Sequence, residues 1–254
     1  MKKRKQQPAS IGRESLVQRK KRAAAITKRL RRQYEDADCA LQHRSALQLL
    51  VSTILSAQCT DQRVNKVTPS VFAKYRNAKD FASADPAEME ALIQSTGFFR
   101  NKTKSIIGAG RVISERFGGE VPDTMEQLLE LPGVARKTAN VILGTWFKKN
   151  EGVVVDTHIG RLSHRLALTW RSKNDKDAVK IEKDLMEILP RKDWTYIGHA
   201  LIWHGRKVCP ARRPACDECN LAELCPSAFS FDGKNAQPKT GRSTPAKKSR
   251  AAAR

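Results

Sequence analysis

A chain of 254 residues that is 40% hydrophobic has room for one large or two small cores, and its formal net charge of +22 points to a polyanionic partner. No apolar run approaches the roughly 18 residues that a bilayer-spanning helix needs, so no membrane association is expected. No apolar segment follows the basic N-terminus, so it does not read as a secretory signal.

The charge is unevenly placed. Residues 1–32 carry 13 Lys/Arg against one Glu, and residues 229–254 carry seven against one Asp, which leaves +4 for everything between. Two basic arms flanking a mildly basic body favour nucleic acid through counterion release. Residues 1–18 read as a disordered basic arm; a transit peptide is the other reading, and the segment is poor in serine. Residues 229–254 read as a second such arm.

Between the arms, apolar residues recur at helical spacing. A basic helix is expected over Arg19–Tyr34, and a buried one over 46–56. Thr60 or Asp61 caps a third, with Val64, Val67, Val71 and Phe72 inward. Asp85-Pro86 opens a helix with Met89, Leu92 and Ile93 inward. Gly97 breaks the chain, and Phe98 to Lys102 is expected as a loop. Helices follow over Lys102–Phe117, which Gly118-Gly119 ends, and over Thr124–Leu129. The run after Lys137 has Ala139, Ile142, Leu143 and Phe147 on one face. Three more helices are expected from Asp156 to about Leu168, Asp175 to Leu189 and Asp193 to Arg206. Val153-Val154-Val155 alone is strand-like, and it is too short to pair into a sheet. Helix after helix with short connections is an all-α fold.

Two stretches carry candidate chemistry. The first reads LPGVARKTAN, then VDTH: a Pro-Gly turn at Pro132-Gly133, Lys137 at a helix start beside Arg136, and Asp156 at the start of another helix. Taken singly, Gly133 is a turn glycine, Asp156 an N-cap and Lys137 a solvated lysine. The second is Cys209, Cys216, Cys219 and Cys225, spaced C-x6-C-x2-C-x5-C. Without an export signal, four clustered cysteines read as metal ligands rather than disulfides. Structural zinc more often uses two close pairs, and four thiolates also hold a [4Fe-4S] cluster. Cys39 and Cys59 lie outside the pattern and read as small buried residues.

Together, LPGVARKTAN, VDTH, the SAQCTD and TGFFRNK segments and the cysteine spacing resemble the endonuclease III family of DNA glycosylase/AP lyases, over about residues 20–228. The family has glycine at the position of Ala135 and an aliphatic residue at that of Phe98. The resemblance implies a two-domain all-α helix-hairpin-helix fold with a [4Fe-4S] cluster loop. A barrel domain would span 43–150 and a cluster domain 151–228, and an N-terminal helix in 19–42 would join the cluster domain. It implies Lys137 as nucleophile and Asp156 as its electrostatic partner. Gln58 and Phe98 would fill the gap left by an extruded base. Gly133, Ala135, Arg136, His158, Arg212 and Arg213 would contact DNA, and Cys209, Cys216, Cys219 and Cys225 would bind the cluster. The implied partner is duplex DNA with damaged pyrimidines or abasic sites, met by a monomer. The implied location is the bacterial cytoplasm, or the nucleus or mitochondrion in a eukaryote.

An amine attacking the sugar C1′ must be neutral, and at an ordinary lysine pKa of about 10.4 only roughly one in 2,500 is neutral at pH 7. A cationic neighbour, Arg136, and a helix start both favour the neutral amine. An adenine-mismatch glycosylase shares the hairpin and cluster but lacks a lysine at the position of Lys137 and carries a further C-terminal domain. A non-catalytic, cluster-bearing DNA-coating protein is the rival from another class.

Overall fold

The computed structural model describes residues 14–231. Among them the chain forms eleven α-helices and no strand: α1 (Leu16–Gln33), α2 (Ala46–Leu55), α3 (Asp61–Lys74), α4 (Ala78–Ala82), α5 (Pro86–Ile93), α6 (Phe99–Arg116), α7 (Met125–Leu129), α8 (Arg136–Thr145), α9 (Thr157–Arg165), α10 (Ala178–Ile188) and α11 (Trp194–Lys207). None of the described helices is long and apolar enough to cross a membrane. Most of the two basic arms, residues 1–13 and 232–254, lies outside the described residues.

Local chemistry sets most helix starts. Ser45, Thr60, Asn77, Asp85, Thr124, Asp156 and Asp177 each accept a backbone N–H three residues on. Each such cap stabilises its helix by about 1 kcal/mol. Thr60, rather than Asp61, caps α3. Four points depart from the sequence expectations. Helix α1 begins at Leu16, inside the segment expected to be disordered, because Ser15 and Gln18 form a reciprocal capping box. The Phe98–Lys102 loop is instead the first turn of α6, which opens with the Lys102 amide on the Phe98 carbonyl at 3.1 Å. Helix α4, unforeseen, follows from a second capping box between Asn77 and Asp80. At the other end, Phe231, expected in the disordered tail, lies against the Arg165 guanidinium, 4.2 Å from ring centre to carbon.

Two hydrophobic cores result. Helices α2 to α8 enclose the first, around Leu50, Val71, Met89, Ile106 and Leu143. The second gathers α1 with α9, α10 and α11, around Ile26, Leu30, Ile159, Leu185 and Leu201. The chain passes from the second core to the first between Ala37 and Leu41. It returns through Val153 and Val155, both buried in the second core. The N-terminal helix therefore closes the C-terminal core.

His199 of α11 reaches towards α8, with its Nε2 3.4 Å from Thr145 Oγ1. Burial holds its imidazole below the ordinary 6.5, Asp38 opposes that and Lys148 adds to it. The unfolded chain therefore binds a proton near pH 6.5 that the folded chain refuses until lower pH. Stability from neutral His199 is complete above that value and falls as pH drops below it. Thermal midpoints of His199→Gln should decline less steeply between pH 7 and 5 than those of the parent protein. Parallel decline of the two would show that His199 does not contribute.

Candidate active-site cleft

The hairpin is built by α7, the turn Leu131-Pro132-Gly133-Val134, and α8. The turn is closed by the Val134 amide on the Leu131 carbonyl at 3.1 Å. Gly133 takes φ 78°, and a Cβ there would lie 2.6 Å from Ser105 Cβ of α6, so both backbone and space require glycine. Ala135, at φ −99° and ψ 169°, is ordinary extended backbone, and alanine is accommodated without strain. It is the N-cap of α8 and makes no side-chain cap, so the first amides of α8 face outward without a local acceptor.

Asp156 is aimed by alternation. In the extended segment before α9, Val153 and Val155 enter the second core, while Val154 and Asp156 line a cleft between the cores. Asp156 Oδ1 accepts the Ile159 amide at 2.8 Å, so it caps α9 and keeps its other oxygen for the cleft. Lys137, in the first turn of α8, lines the same cleft and is exposed.

The cleft encloses about 280 Å³, near the lower end of small-molecule sites at about 300–1,000 Å³. It brings Lys137 and Asp156 together with Gln58. Its lining also includes Asp38, Asn140, His199, Trp203 and Arg206, which the sequence reading did not single out. Arg206 of α11 donates to Asp61 of α3 at 2.7 Å. Gln58 is exposed in a left-handed conformation, φ 54°. Phe98 has φ 48° and is 62% exposed, which rules out a core role, and it stands outside the cleft lining.

Arg136 changes character. Its guanidinium binds the buried Glu182 carboxylate, Nε to Oε2 at 3.2 Å and Nη2 to Oε1 at 3.3 Å. A carboxylate thus offsets the charge that the sequence reading placed beside Lys137. His158 is half-buried, with Nδ1 3.2 Å from Arg161 Nη2. Burial, first, and then Arg161 and Arg206 hold its imidazole below the ordinary value, against Asp156 and Asp61. Its surroundings are those of a packed side chain. Arg212 and Arg213 are exposed on the loop between Cys209 and Cys216, away from the cleft lining.

Cys209, Cys216, Cys219 and Cys225 all line one largely apolar pocket walled by Leu162, Leu166 and Leu221. Among the described residues no three His, Cys, Asp or Glu side chains converge on a single metal-ion position. Burial pushes the Cys225 thiol up to about 11, with Cys209, Cys219 and Cys216 adding to the rise. Burial likewise raises Cys219, against the Leu221 and Ala222 amides that bond its sulfur. Arg165, itself buried, donates to Cys209 Sγ at 3.1 Å and to the Pro210 and Ala211 carbonyls, each at 2.8 Å. His204 Nε2 lies 3.5 Å from Cys219 Sγ, and burial pushes this imidazole down to about 4. Four thiols that repel one another as anions, with N–H donors already aimed at their sulfurs, fit a polynuclear cationic group.

Residues 51–191 match the family model described as HhH-GPD superfamily base excision DNA repair protein. The chain is 54% identical over 213 residues to endonuclease III of Synechocystis, covering 84% of this chain and 95% of that protein. It is 41% identical over 203 residues to endonuclease III of Bacillus subtilis, covering 79% and 90%. A solved non-covalent endonuclease III–DNA complex superposes with a TM-score of 0.77 at 37% identity, covering 83% of this chain and 97% of that one. A trapped covalent endonuclease III–DNA intermediate superposes equally well, with the same coverage. The hairpin, the cleft that joins Lys137 to Asp156 and these matches place the chain in the HhH-GPD superfamily of base excision repair proteins, within the endonuclease III family of DNA glycosylase/AP lyases.

Proposed function

We propose that this DNA glycosylase/AP lyase removes oxidised or ring-saturated pyrimidines from duplex DNA and then cuts 3′ to the abasic site by β-elimination. The observation that carries this reading is the convergence of Lys137, Asp156 and Gln58 on one cleft. The neutral Lys137 amine attacks C1′; the glycosidic C–N bond breaks and the base leaves with a proton. The sugar C1′–O4′ bond then opens, O4′ taking up a proton as C1′ and the lysine nitrogen form a protonated Schiff base, which makes the C2′ proton acidic. Its loss expels the 3′ phosphate oxygen, and water then releases the sugar and regenerates the amine.

Asp156 stabilises positive charge that builds on the sugar as the base departs. The uncapped amides around Gly133 and Ala135 bind a backbone phosphate. Gln58 and Phe98 enter the stack where the damaged nucleotide has left it. Arg136, Arg212 and Arg213 add positive surface, and His158, at the start of α9 beside Asp156, contacts DNA or packs against Arg161. The two cores correspond to a barrel domain over 43–150 and a cluster domain over 151–228 joined by 19–42. The acting unit in this reading is a monomer. The bacterial relatives favour the bacterial cytoplasm.

Cys209, Cys216, Cys219 and Cys225 are the ligands of a [4Fe-4S] cluster. When bound, the cluster ties these four positions of the loop together and presents Arg212 and Arg213. Arg165 donates to the Cys209 sulfur, and His204 lies within hydrogen-bond distance of that of Cys219.

Borohydride trapping on a duplex with one thymine glycol should give a covalent protein–DNA adduct with the parent chain and none with Lys137→Ala. An adduct that survives the substitution would assign the nucleophile elsewhere. Asp156→Asn keeps an N-cap acceptor of nearly equal quality. It should therefore leave the thermal midpoint almost unchanged and slow single-turnover base release by about 10²–10³-fold, the scale of one lost electrostatic group. An unchanged rate would remove Asp156 from the chemistry. Purified protein should contain iron and acid-labile sulfide in equal amounts, about four of each per chain. Cys225→Ser should lower both together with the visible absorbance. Stoichiometric zinc instead would overturn the cluster assignment.

A further inference from the structure

Lys102 lies in the first turn of α6 and is 5% exposed. On the helix it shares the buried stripe of Ile106, Ala109 and Ile113, where an apolar side chain is the ordinary choice. Its ammonium donates to two main-chain carbonyls, Leu55 and Thr96, each at 2.8 Å. Both acceptors end helical elements. Leu55 is the last residue of α2, and Thr96 the last of the 3₁₀ turn Gln94–Thr96. Terminal carbonyls lack partners within their own helix and carry its negative end, so a cation there satisfies both needs.

Each carbonyl stands just before an exposed, strained residue. Gln58 comes three residues after Leu55, and Phe98 two residues after Thr96. Both sit at positive φ, 54° and 48°, and both present exposed side chains. Non-glycine residues hold the left-handed region only where the surroundings over-determine it. The segments belong to different hairpins of the first core, and Lys102 bonds directly to both. Burial lowers the ammonium's affinity for its proton, with Cys59 alone opposing. A buried cation without a carboxylate is costly unless its donors are used, and two of the three are.

We propose that Lys102 is the positioning residue that fixes the Gln58 and Phe98 loops at one mutual spacing, so that both side chains enter the DNA stack as a unit. This rests on the reading of Gln58 and Phe98 as gap-filling residues. Lys102 touches neither the reacting atoms nor DNA; it acts through the two loops. Its effect therefore belongs to extrusion from paired duplex, and not to Schiff-base chemistry at a site already unstacked.

The test uses the full-length, cluster-loaded protein with Lys102→Met. Removal of thymine glycol from paired duplex should fall roughly 10- to 100-fold, the scale of a 1 Å misplacement. Trapping at an abasic site in single-stranded DNA should stay within a factor of about two to three, because no gap needs filling there. Amide exchange should accelerate in residues 56–60 and 96–99 together. Equal loss on both substrates, loss on neither, or faster exchange in one loop alone would overturn the proposal. Gln58→Ala and Phe98→Ala run alongside. If neither loses duplex activity selectively, the gap-filling reading fails, while exchange in Lys102→Met still decides whether the lysine joins the loops. Should the methionine variant not fold, Lys102→Gln, which retains a donor, takes its place. Failure of both to fold would assign Lys102 to fold stability and overturn the positioning role.

Discussion

The buried carboxylate of Glu182 joins the two cores, and the geometry of the cleft depends on it. It projects from α10 of the second core and is held by two side chains of α8, Arg136 and Asn140, the latter at 3.1 Å. A carboxylate so far from water is tolerable only when its oxygens are bonded, so these partners are obligatory. Gly152 passes close beneath it; a Cβ there would lie 2.2 Å from Glu182 Oε1. Four residues later the same segment delivers Asp156. One buried charge thus fixes the first turn of α8, which carries Lys137, against the segment that carries Asp156.

A second close approach works with it. Gly144 of α8 faces Thr195 of α11, and a Cβ at 144 would lie 2.3 Å from Thr195 Oγ1. Helix α8 therefore buries Ala139, Ile142 and Leu143 in the first core while touching α10 and α11 of the second. It belongs to both cores, which suits a helix that carries Lys137, the candidate nucleophile, at their seam. The cysteine pocket lies beyond α9 and α11. Arg165, the last residue of α9, ties that loop down through two carbonyls and a sulfur. Asp156 at one end of α9 and Arg165 at the other make this helix the rigid connection between cleft and cysteine loop.

Local signals in the sequence were reliable where the cause was local. Caps, the Pro132-Gly133 turn and apolar spacing placed nearly every helix, because each acts within four residues. The departures from expectation have local causes as well. Ser15 and Gln18 form a capping box inside a charge-dense arm, and Gly97 with Phe98 confines the break that was expected to extend to Lys102. The lysine, aspartate and cysteine spacings were enough to name the family.

The sequence by itself determined the helices, the hairpin turn, the candidate nucleophile with its acidic partner, and the four cysteines proposed as cluster ligands. Only the tertiary structure decided that Arg136 is spent on Glu182, that Phe98 stands exposed, and that His199, Trp203 and Arg206 line the cleft. It also decided that Lys102 and Arg165, charged residues on buried faces, are satisfied by distant carbonyls. A charge on an apolar stripe can be seen in the sequence as an irregularity, but its partner cannot. The farther acceptor lies 47 residues away for Lys102, and the acceptors of Arg165 lie 44 to 46 away. Such pairings depend on how helices cross, and side-chain periodicity carries no information about what faces a helix from another part of the chain.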